Sequence, residues 1–374
     1  MKLDFSSRSR RLILWVLKQG LQLGAKLAGR RFACESLGGR AHNGIFINSD
    51  MTVSCNCQDV DGSGQLGELR RATFEELFAG GTAARFRREL AAGRLPVSRC
   101  PACFHLRLVR PSVAAARAVE FRLPRGLSVE NTALCNLRCT ACCREQLSRT
   151  RRGAPFLSLE DVDVVGRTLA RLGATYCGYY NLGEPFLSPT IRRELEILRR
   201  HAPEIEILIS TNGLLLDSDE KREAALLADH VLFSIDGVST EMVRRYQRGG
   251  DFERAYENLK GLVAFRNQRK AGRPCIYWKY VLFRWNDRPA TIRRAIGLAR
   301  QAGVDCLQLT FARNPLHGIS WRFLLSGYFR SLGPPEGWRI RNVWFSQPRP
   351  IGSSGRSGRE TCATASWGGP PGIQ

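Results

Sequence analysis

Val129 to Cys143 reads VENTALCNLRCTACC, and the rest of the chain is organised around it. Cys135, Cys139 and Cys142 stand at the spacing C-x3-C-x2-C. Three thiols this close pair poorly as disulfides, but they can wrap one compact metal centre from a single loop. A tetrahedral zinc or an ordinary four-iron cluster takes four ligands. Three thiolates on a cubane therefore leave one iron open. The apolar and β-branched run Leu127 to Leu134 reads as a strand that sets this loop at its carboxyl end, where α/β enzymes keep their chemistry.

The 374 residues allow two or three domains and a sizeable core, and 43% hydrophobic residues is the composition of a soluble globular protein. The net charge is +23, with 50 Arg against 7 Lys. Such an excess is compatible with an RNA or acidic-membrane partner. Here the arginines are spread over the whole length, which reads as compositional bias, and no basic run is interleaved with aromatics as a nucleic-acid groove requires. A nucleic-acid partner is not expected. The 13 cysteines are odd in number and clustered in short spacings, and no convincing secretory signal precedes them. This points to a reducing, cytoplasmic compartment and to metal ligation over a disulfide framework.

Residues 1–31 form a basic amphipathic segment: Arg8, Arg10 and Arg11, then Leu12 to Leu17, then Leu21, Leu23 and Leu27 among Lys18, Gln22 and Lys26. The apolar run falls short of the roughly 20 residues that a bilayer span needs, and it is also too short for a signal-peptide core. The segment reads as a helix packed on the protein's own core, with a helix lying on a membrane surface as the alternative.

Residues 32–108 are a second cysteine-rich module. Cys34 comes first, then a hairpin-like stretch Ile45 to Val53 around Asp50, then Cys55 and Cys57, a helical segment near Thr73 to Ala92, and Cys100-Pro-Ala-Cys103. Two close pairs joined through a helix have the spacing of a four-thiolate site. Five cysteines are one more than such a site needs, and spacing does not separate zinc from iron and sulfur. Residues 109–124 are a basic connector ending in Pro124.

From 125 to 315 strands and helices alternate. The expected strands, besides the one before the cysteine loop, are Thr175 to Leu182, Ile205 to Asn212, Val231 to Asp236, Cys275 to Phe283 and Cys306 to Phe311. Helices are expected from Ser158 to about Leu172 with Asp161 completing a capping box, from Ser188-Pro189, and near Ser218 to Ala228, Phe252 to Lys270 and Pro289 to Ala302. Six βα units imply a parallel sheet with right-handed crossovers, either open and doubly wound or a partial barrel. Residues 316–346 are a C-terminal extension. Beyond 347 the Pro, Gly, Ser and Arg-rich sequence reads as a disordered tail, in which Cys362 is not a ligand.

Strand parity places Ser210 and Asn212 on one face with Leu208, and Ser234 with Asp236, so that two strands turn polar together at their carboxyl ends. Small polar residues before the turn pairs Asn212-Gly213 and Asp236-Gly237 are the structural alternative. Lys279, in the apolar strand Tyr277 to Tyr280, either points inward as an anion contact or proton acceptor or lies at the surface. Cys177, Cys275 and Cys306 read as small core residues, as does Cys143.

The loop Cys135 to Cys142 resembles that of radical S-adenosylmethionine (SAM) enzymes. The resemblance implies a partial (β/α)6 TIM-like barrel in which the three cysteines bind a [4Fe-4S] cluster and SAM chelates the open iron. Tyr180-Asn181-Leu182-Gly183-Glu184-Pro185 is similar to the family's GGE-type motif, with Leu182 in the place of the first Gly; Gly183, Glu184 and Pro185 would then hold the amino group of SAM. Asn212 and Ser234 match positions that contact its carboxylate or ribose. Ala141 departs from the aromatic residue that usually covers the adenine. The stretch from Cys55 to Cys103 resembles the SPASM or twitch auxiliary-cluster module, which usually follows the barrel and here precedes it. By that resemblance Cys34, Cys100 and Cys103, joined by Cys55 or Cys57, hold one auxiliary iron-sulfur cluster. The implied activity is reductive cleavage of SAM and hydrogen abstraction from a peptide or small-molecule substrate with an oxidative outcome. The electrons would come from a reductant such as flavodoxin or ferredoxin. An RNA-modifying enzyme of the same family, and a non-catalytic zinc or iron-sulfur protein on a degenerate barrel, are the alternatives.

Overall fold

The computed structural model describes residues 7–57, 59–147, 155–312, 315–324 and 340–343. The expected tail from 347, with Cys362, lies outside the described residues. The chain divides into two compact units, one of Met1–Ala133, Cys143–Gly183 and Arg200–Ile205, the other of Leu134–Cys142, Glu184–Arg199 and Glu206–Gln374.

The first unit runs α1 (Ser7–Leu27), β1 (Arg31–Cys34), β2 (Phe46–Ile47), β3 (Thr52–Ser54), β4 (Gln65–Glu68), α2 (Phe74–Ala79), α3 (Gly81–Ala91), β5 (Leu106–Val109), α4 (Pro111–Val119), β6 (Gly126–Val129), α5 (Leu159–Arg171) and β7 (Tyr176–Tyr179). The expected hairpin is β2–β3, and its turn is held by the Asp50 carboxylate, which accepts from the N–H and hydroxyl of Thr52. Phe46 and Ile47 of β2 also pair in parallel with Ser128 and Val129 of β6, and β6 pairs in parallel with β7. The hairpin of the cysteine-rich segment thus extends the parallel sheet directly.

One local expectation is corrected here. The single helix near Thr73 to Ala92 is two helices, broken at Gly80 and Gly81, where Gly81 takes φ 45°, a left-handed conformation that a helix interior does not allow. Buried Arg87 covers the break by donating to the carbonyls of Phe78 and Ala79. The connector 109–124 is largely helical, because Arg110-Pro111 supplies a start with proline at the first helical position. The capping box of Ser158 and Asp161 stands as expected, and Asp161 also takes both nitrogens of an Arg70 fork.

The second unit runs α6 (Ile191–His201, its last residues in the first unit), β8 (Glu206–Thr211), α7 (Asp219–Leu226), β9 (His230–Ser234), α8 (Thr240–Arg244), α9 (Phe252–Gln268), β10 (Cys275–Leu282), α10 (Pro289–Ala302), β11 (Cys306–Phe311), α11 (Trp321–Leu324) and β12 (Ile340–Val343). Strands β8 to β12 pair in parallel in chain order. The expected strands are all present, the one before the cysteine loop shortened to Gly126–Val129, and β12 is an addition. Helix α6 begins at Ile191 and not at Ser188, because Ser188 and Thr190 both turn their hydroxyls to Glu194. A repeated device anchors the strands: Asp229 accepts the N–H of Ile207 and Asp305 that of Ile276, each 2.7 Å, with Arg199 and Arg266 as their ion partners. The helix-facing side of this sheet is apolar and fully buried at Ile207, Ile209, Phe233, Trp278, Tyr280, Leu307 and Leu309.

Candidate functional site

The cysteine loop sits in the second unit and is pinned by its backbone. Arg138 and Thr140 donate their N–H groups to the carbonyls of Arg248 and Tyr246, at 3.0 and 2.8 Å. Cys135, Cys139 and Cys142 are each half-buried. Burial pushes the Cys139 thiol up, and Asp236, Cys142 and Cys135 push it further, which puts the other two loop thiols within electrostatic reach of Cys139. The N–H of Leu137 points at the Cys135 sulfur from 3.4 Å, the kind of hydrogen bond that tunes a cluster thiolate. Among the described residues no three His, Cys, Asp or Glu side chains converge as closely as a single metal ion demands. Three thiols on one short loop fit a cluster in which each sulfur takes a different iron.

Glu184 lies beside this loop, its N–H donating to the Leu134 carbonyl at 2.7 Å. Its carboxylate is 2% exposed and accepts from the Thr211 hydroxyl at 2.6 Å, the Asn212 N–H at 2.7 Å and the Phe186 N–H at 3.3 Å. Burial outweighs these donors and raises its pKa to about 7. The side chain is a brace between the segment after β7 and the end of β8. Pro185 behind it is buried and Gly183 is half-buried. Asn212, set by this brace, reaches the Asn136 carbonyl oxygen of the side chain at 2.7 Å and stands 4.0 Å from the Cys135 sulfur.

The parity expected from sequence holds. Parallel register puts Ser210, Leu232 and Tyr277 in one row and Ser234, Lys279 and Gln308 in the next. Ser210 and Ser234 meet at 3.3 Å between their hydroxyls. Lys279 is on this inner face and lies within electrostatic reach of Asp236. Burial lowers its pKa and Asp236 opposes that; burial raises Asp236 to about 7 against the Val281 N–H and Lys279. Two residues missed in the sequence complete the row, Gln308 and Thr310. The Gln308 Oε1 and Thr310 Oγ1 are buried and, among the described residues, accept and donate nothing. Alternation in Cys306-Leu-Gln-Leu-Thr310 carried that signal.

In the first unit the antiparallel register of β1 on β5 sets Cys34 opposite Leu106, close behind Cys103. Cys34, Cys55, Cys100 and Cys103 line one small pocket with Leu37, Leu90, Val97 and Leu106. Cys57 is exposed and is not among the lining residues. Burial, followed by the neighbouring thiols, pushes Cys34 up to about 12 and Cys55 well above its ordinary value. Cys100 rises to about 11 for the same first reason. The Cys57 sulfur also rises to about 11 by local burial although the residue is exposed at the surface. Gly64 leaves room at the Cys55 thiol, since a Cβ there would stand 3.2 Å from the sulfur and 2.6 Å from the Asn56 side chain. Another carboxylate escaped the sequence reading. Fully buried Glu130 accepts from the Ser49 hydroxyl and the Leu182 N–H, tying the β2–β3 turn to the segment after β7. Cys143, Cys177, Cys275 and Cys306 are buried.

Residues 129–267 match the model of the radical SAM superfamily. Over 141 residues the chain is 31% identical to a GTP 3',8-cyclase of Pelotomaculum thermopropionicum, covering 37% of this chain and 42% of that one. It is 30% identical over 148 residues to the FeMo cofactor biosynthesis protein NifB of Frankia alni, covering 37% and 26%. The chain therefore spans less than half the length of these relatives. Among solved structures, SuiB of Streptococcus suis bound to S-adenosylmethionine aligns with a TM-score of 0.47 at 14% identity, covering 63% of this chain and 56% of that one. The fold is the mixed α/β, parallel-sheet type of this superfamily, whose members use a [4Fe-4S] cluster and SAM. With the three-thiol loop at the head of the matched segment, residues 129–267 are a radical SAM domain.

Proposed function

We propose that this protein cleaves SAM at a [4Fe-4S] cluster held by Cys135, Cys139 and Cys142 and abstracts hydrogen from a small polar substrate. The observation that carries the reading is the loop itself: three half-buried thiols at C-x3-C-x2-C spacing on a backbone fixed by Tyr246 and Arg248. When bound, the reduced cluster supplies the electron that splits SAM into methionine and a hydrogen-abstracting 5'-deoxyadenosyl radical. The protein's share is to bind, orient and exclude water. Gly183 and Pro185 offer backbone to the amino group of SAM. Glu184 has most of its acceptor capacity taken by Thr211, Asn212 and Phe186, so it fixes Asn212 more than it holds SAM. Asn212 and Ser234 are assigned to the carboxylate and ribose.

For the substrate, the inner face of Ser234, Asp236, Lys279, Gln308 and Thr310 supports a compact polar molecule. It holds both charges and buried hydrogen-bonding atoms without partners. The likeness to a GTP 3',8-cyclase and to NifB, both acting in small-molecule or cofactor chemistry, favours the same side. Cys34, Cys55, Cys100 and Cys103 are assigned to one auxiliary iron-sulfur cluster. The four share a pocket, which favours Cys55 over Cys57 as the fourth ligand. Their raised pKa values mean that loading must release protons. The test is anaerobic incubation of reconstituted enzyme with SAM and dithionite. Production of 5'-deoxyadenosine that accelerates with a low-molecular-weight cell fraction supports the proposal. Acceleration by peptide pools alone would refute the substrate class.

A further inference from the structure

Helix α1 packs on its own unit along one narrow strip. Leu14, Lys18, Gln22 and Ala25 recur at helical spacing and are its only residues from 12 to 27 that are not exposed. The Gln22 side chain accepts the Leu95 N–H at 2.7 Å, which fixes the strip in place. The expectation of a helix packed on the protein's own core is therefore met along this strip only. On the opposite side Leu12 is 61% exposed, Val16 53%, Leu23 58% and Leu27 80%, with Trp15 at 59% beside them. Four large aliphatic side chains on one outward stripe cost free energy in water unless something covers them.

The charge on the helix decides what covers them. Ser7 to Leu27 contains Arg8, Arg10, Arg11, Lys18 and Lys26 and no Asp or Glu, in a chain of net charge +23. Two such helices facing each other would repel, so a second copy is a poor occupant. No helix among the described residues is long and apolar enough to cross a membrane, and this one, at 21 residues and about 31 Å, has the length to lie along one. An apolar stripe, a tryptophan suited to the headgroup boundary and a helix whose charged residues are all basic suit binding at an anionic interface. We propose that α1 docks this protein on an anionic lipid surface, with Leu12, Val16, Leu23 and Leu27 entering the bilayer and the Gln22 strip holding the helix to the protein. The 3-10 turn at Cys100–Ala102 packs near α1, so docking brings the cysteine pocket of the same unit to the membrane face.

The test is flotation of the full reconstituted chain with vesicles of phosphatidylcholine and phosphatidylglycerol, against vesicles of phosphatidylcholine alone. Wild type is expected to float with the anionic vesicles and to be released as salt rises. The exposed-stripe variant Leu12→Ser/Val16→Ser/Leu23→Ser/Leu27→Ser is expected to bind at least about tenfold more weakly. Its far-UV circular dichroism and iron content are expected to match those of wild type, because none of the four side chains is packed. Wild type that stays with the soluble fraction overturns the proposal, as does binding insensitive to salt or equal for the variant. Concentration-dependent dimerisation abolished by the same substitutions, without flotation, also overturns it and assigns the stripe to a second copy.

Discussion

Replacing Glu184 with glutamine separates two accounts of that carboxyl group. The side chain accepts three hydrogen bonds, and the closest backbone one, from Asn212 N–H at 2.7 Å, falls on a single oxygen. In Glu184→Gln an amide nitrogen takes the place of one of the two oxygens, and one buried donor loses its acceptor. The cost is about 1–3 kcal/mol, or roughly 4–8 °C for a loss of about 2 kcal/mol in a unit of this size. The pH dependence is more telling. The folded pKa, about 7, stands above the ordinary 4.5, so the fold favours the neutral acid. The stability this contributes is fully present below about pH 4.5 and is lost as pH rises through 7, by at most about 3 kcal/mol. Thermal unfolding of the apo protein and of Glu184→Gln, followed anaerobically at pH 5 and pH 8, reads it directly. Wild type should lead the variant by more at pH 5 than at pH 8. A gap that stays constant or widens with pH would mean that Glu184 is ionised in the fold, and the reasoning from burial would fail.

Three further outcomes follow from the same geometry. Cys55→Ala should cut the iron bound to the N-terminal thiols while Cys57→Ala leaves it unchanged, because only Cys55 lines the pocket with Cys34, Cys100 and Cys103; equal loss, or loss in Cys57→Ala alone, contradicts the assignment. Lys279→Met removes the positive charge that restrains Asp236, so the Asp236 carboxyl titration, read by carbon-13 NMR of the apo protein, should move above about 7, and an unmoved titration would place Lys279 out of reach. Gly126→Ala puts a Cβ 1.8 Å from the His42 carbonyl oxygen and should cost about 3 kcal/mol or more in urea unfolding. Gly297→Ala, on an open face of α10, should instead stabilise by about 0.5–1 kcal/mol; similar losses at both sites would discredit the steric argument.

Much of this was legible because it is local. The period of the apolar residues placed the βα strands, and the capping box of Ser158 and Asp161 marked a helix start. Parity brought Ser210 and Ser234 to one face before any coordinates did, and the same rule would have found Gln308 and Thr310 had β11 been read for it. What escaped was set by distant partners. Nothing near Phe46 and Ile47 announces that they pair with Ser128 and Val129, and the burial of Glu130 depends on Ser49 and Leu182, residues far from it in sequence. The choice between Cys55 and Cys57 rested on which sulfur turns toward Cys100 and Cys103, and their spacing is silent on that. For α1 the composition allowed both a packed and a membrane-facing helix. The strip of Leu14, Lys18, Gln22 and Ala25 shows that packing uses only one edge.

The most direct test of the central claim is an iron and sulfide count with SAM cleavage followed in parallel. It would compare anaerobically reconstituted wild type, Cys135→Ala/Cys139→Ala/Cys142→Ala and Cys34→Ala/Cys55→Ala/Cys100→Ala/Cys103→Ala. The account predicts about eight irons in wild type and about four in each variant, with 5'-deoxyadenosine lost completely only when Cys135, Cys139 and Cys142 are replaced. Zinc in place of iron at Cys135, Cys139 and Cys142, or a fully iron-loaded wild type that leaves SAM intact under dithionite, would contradict it.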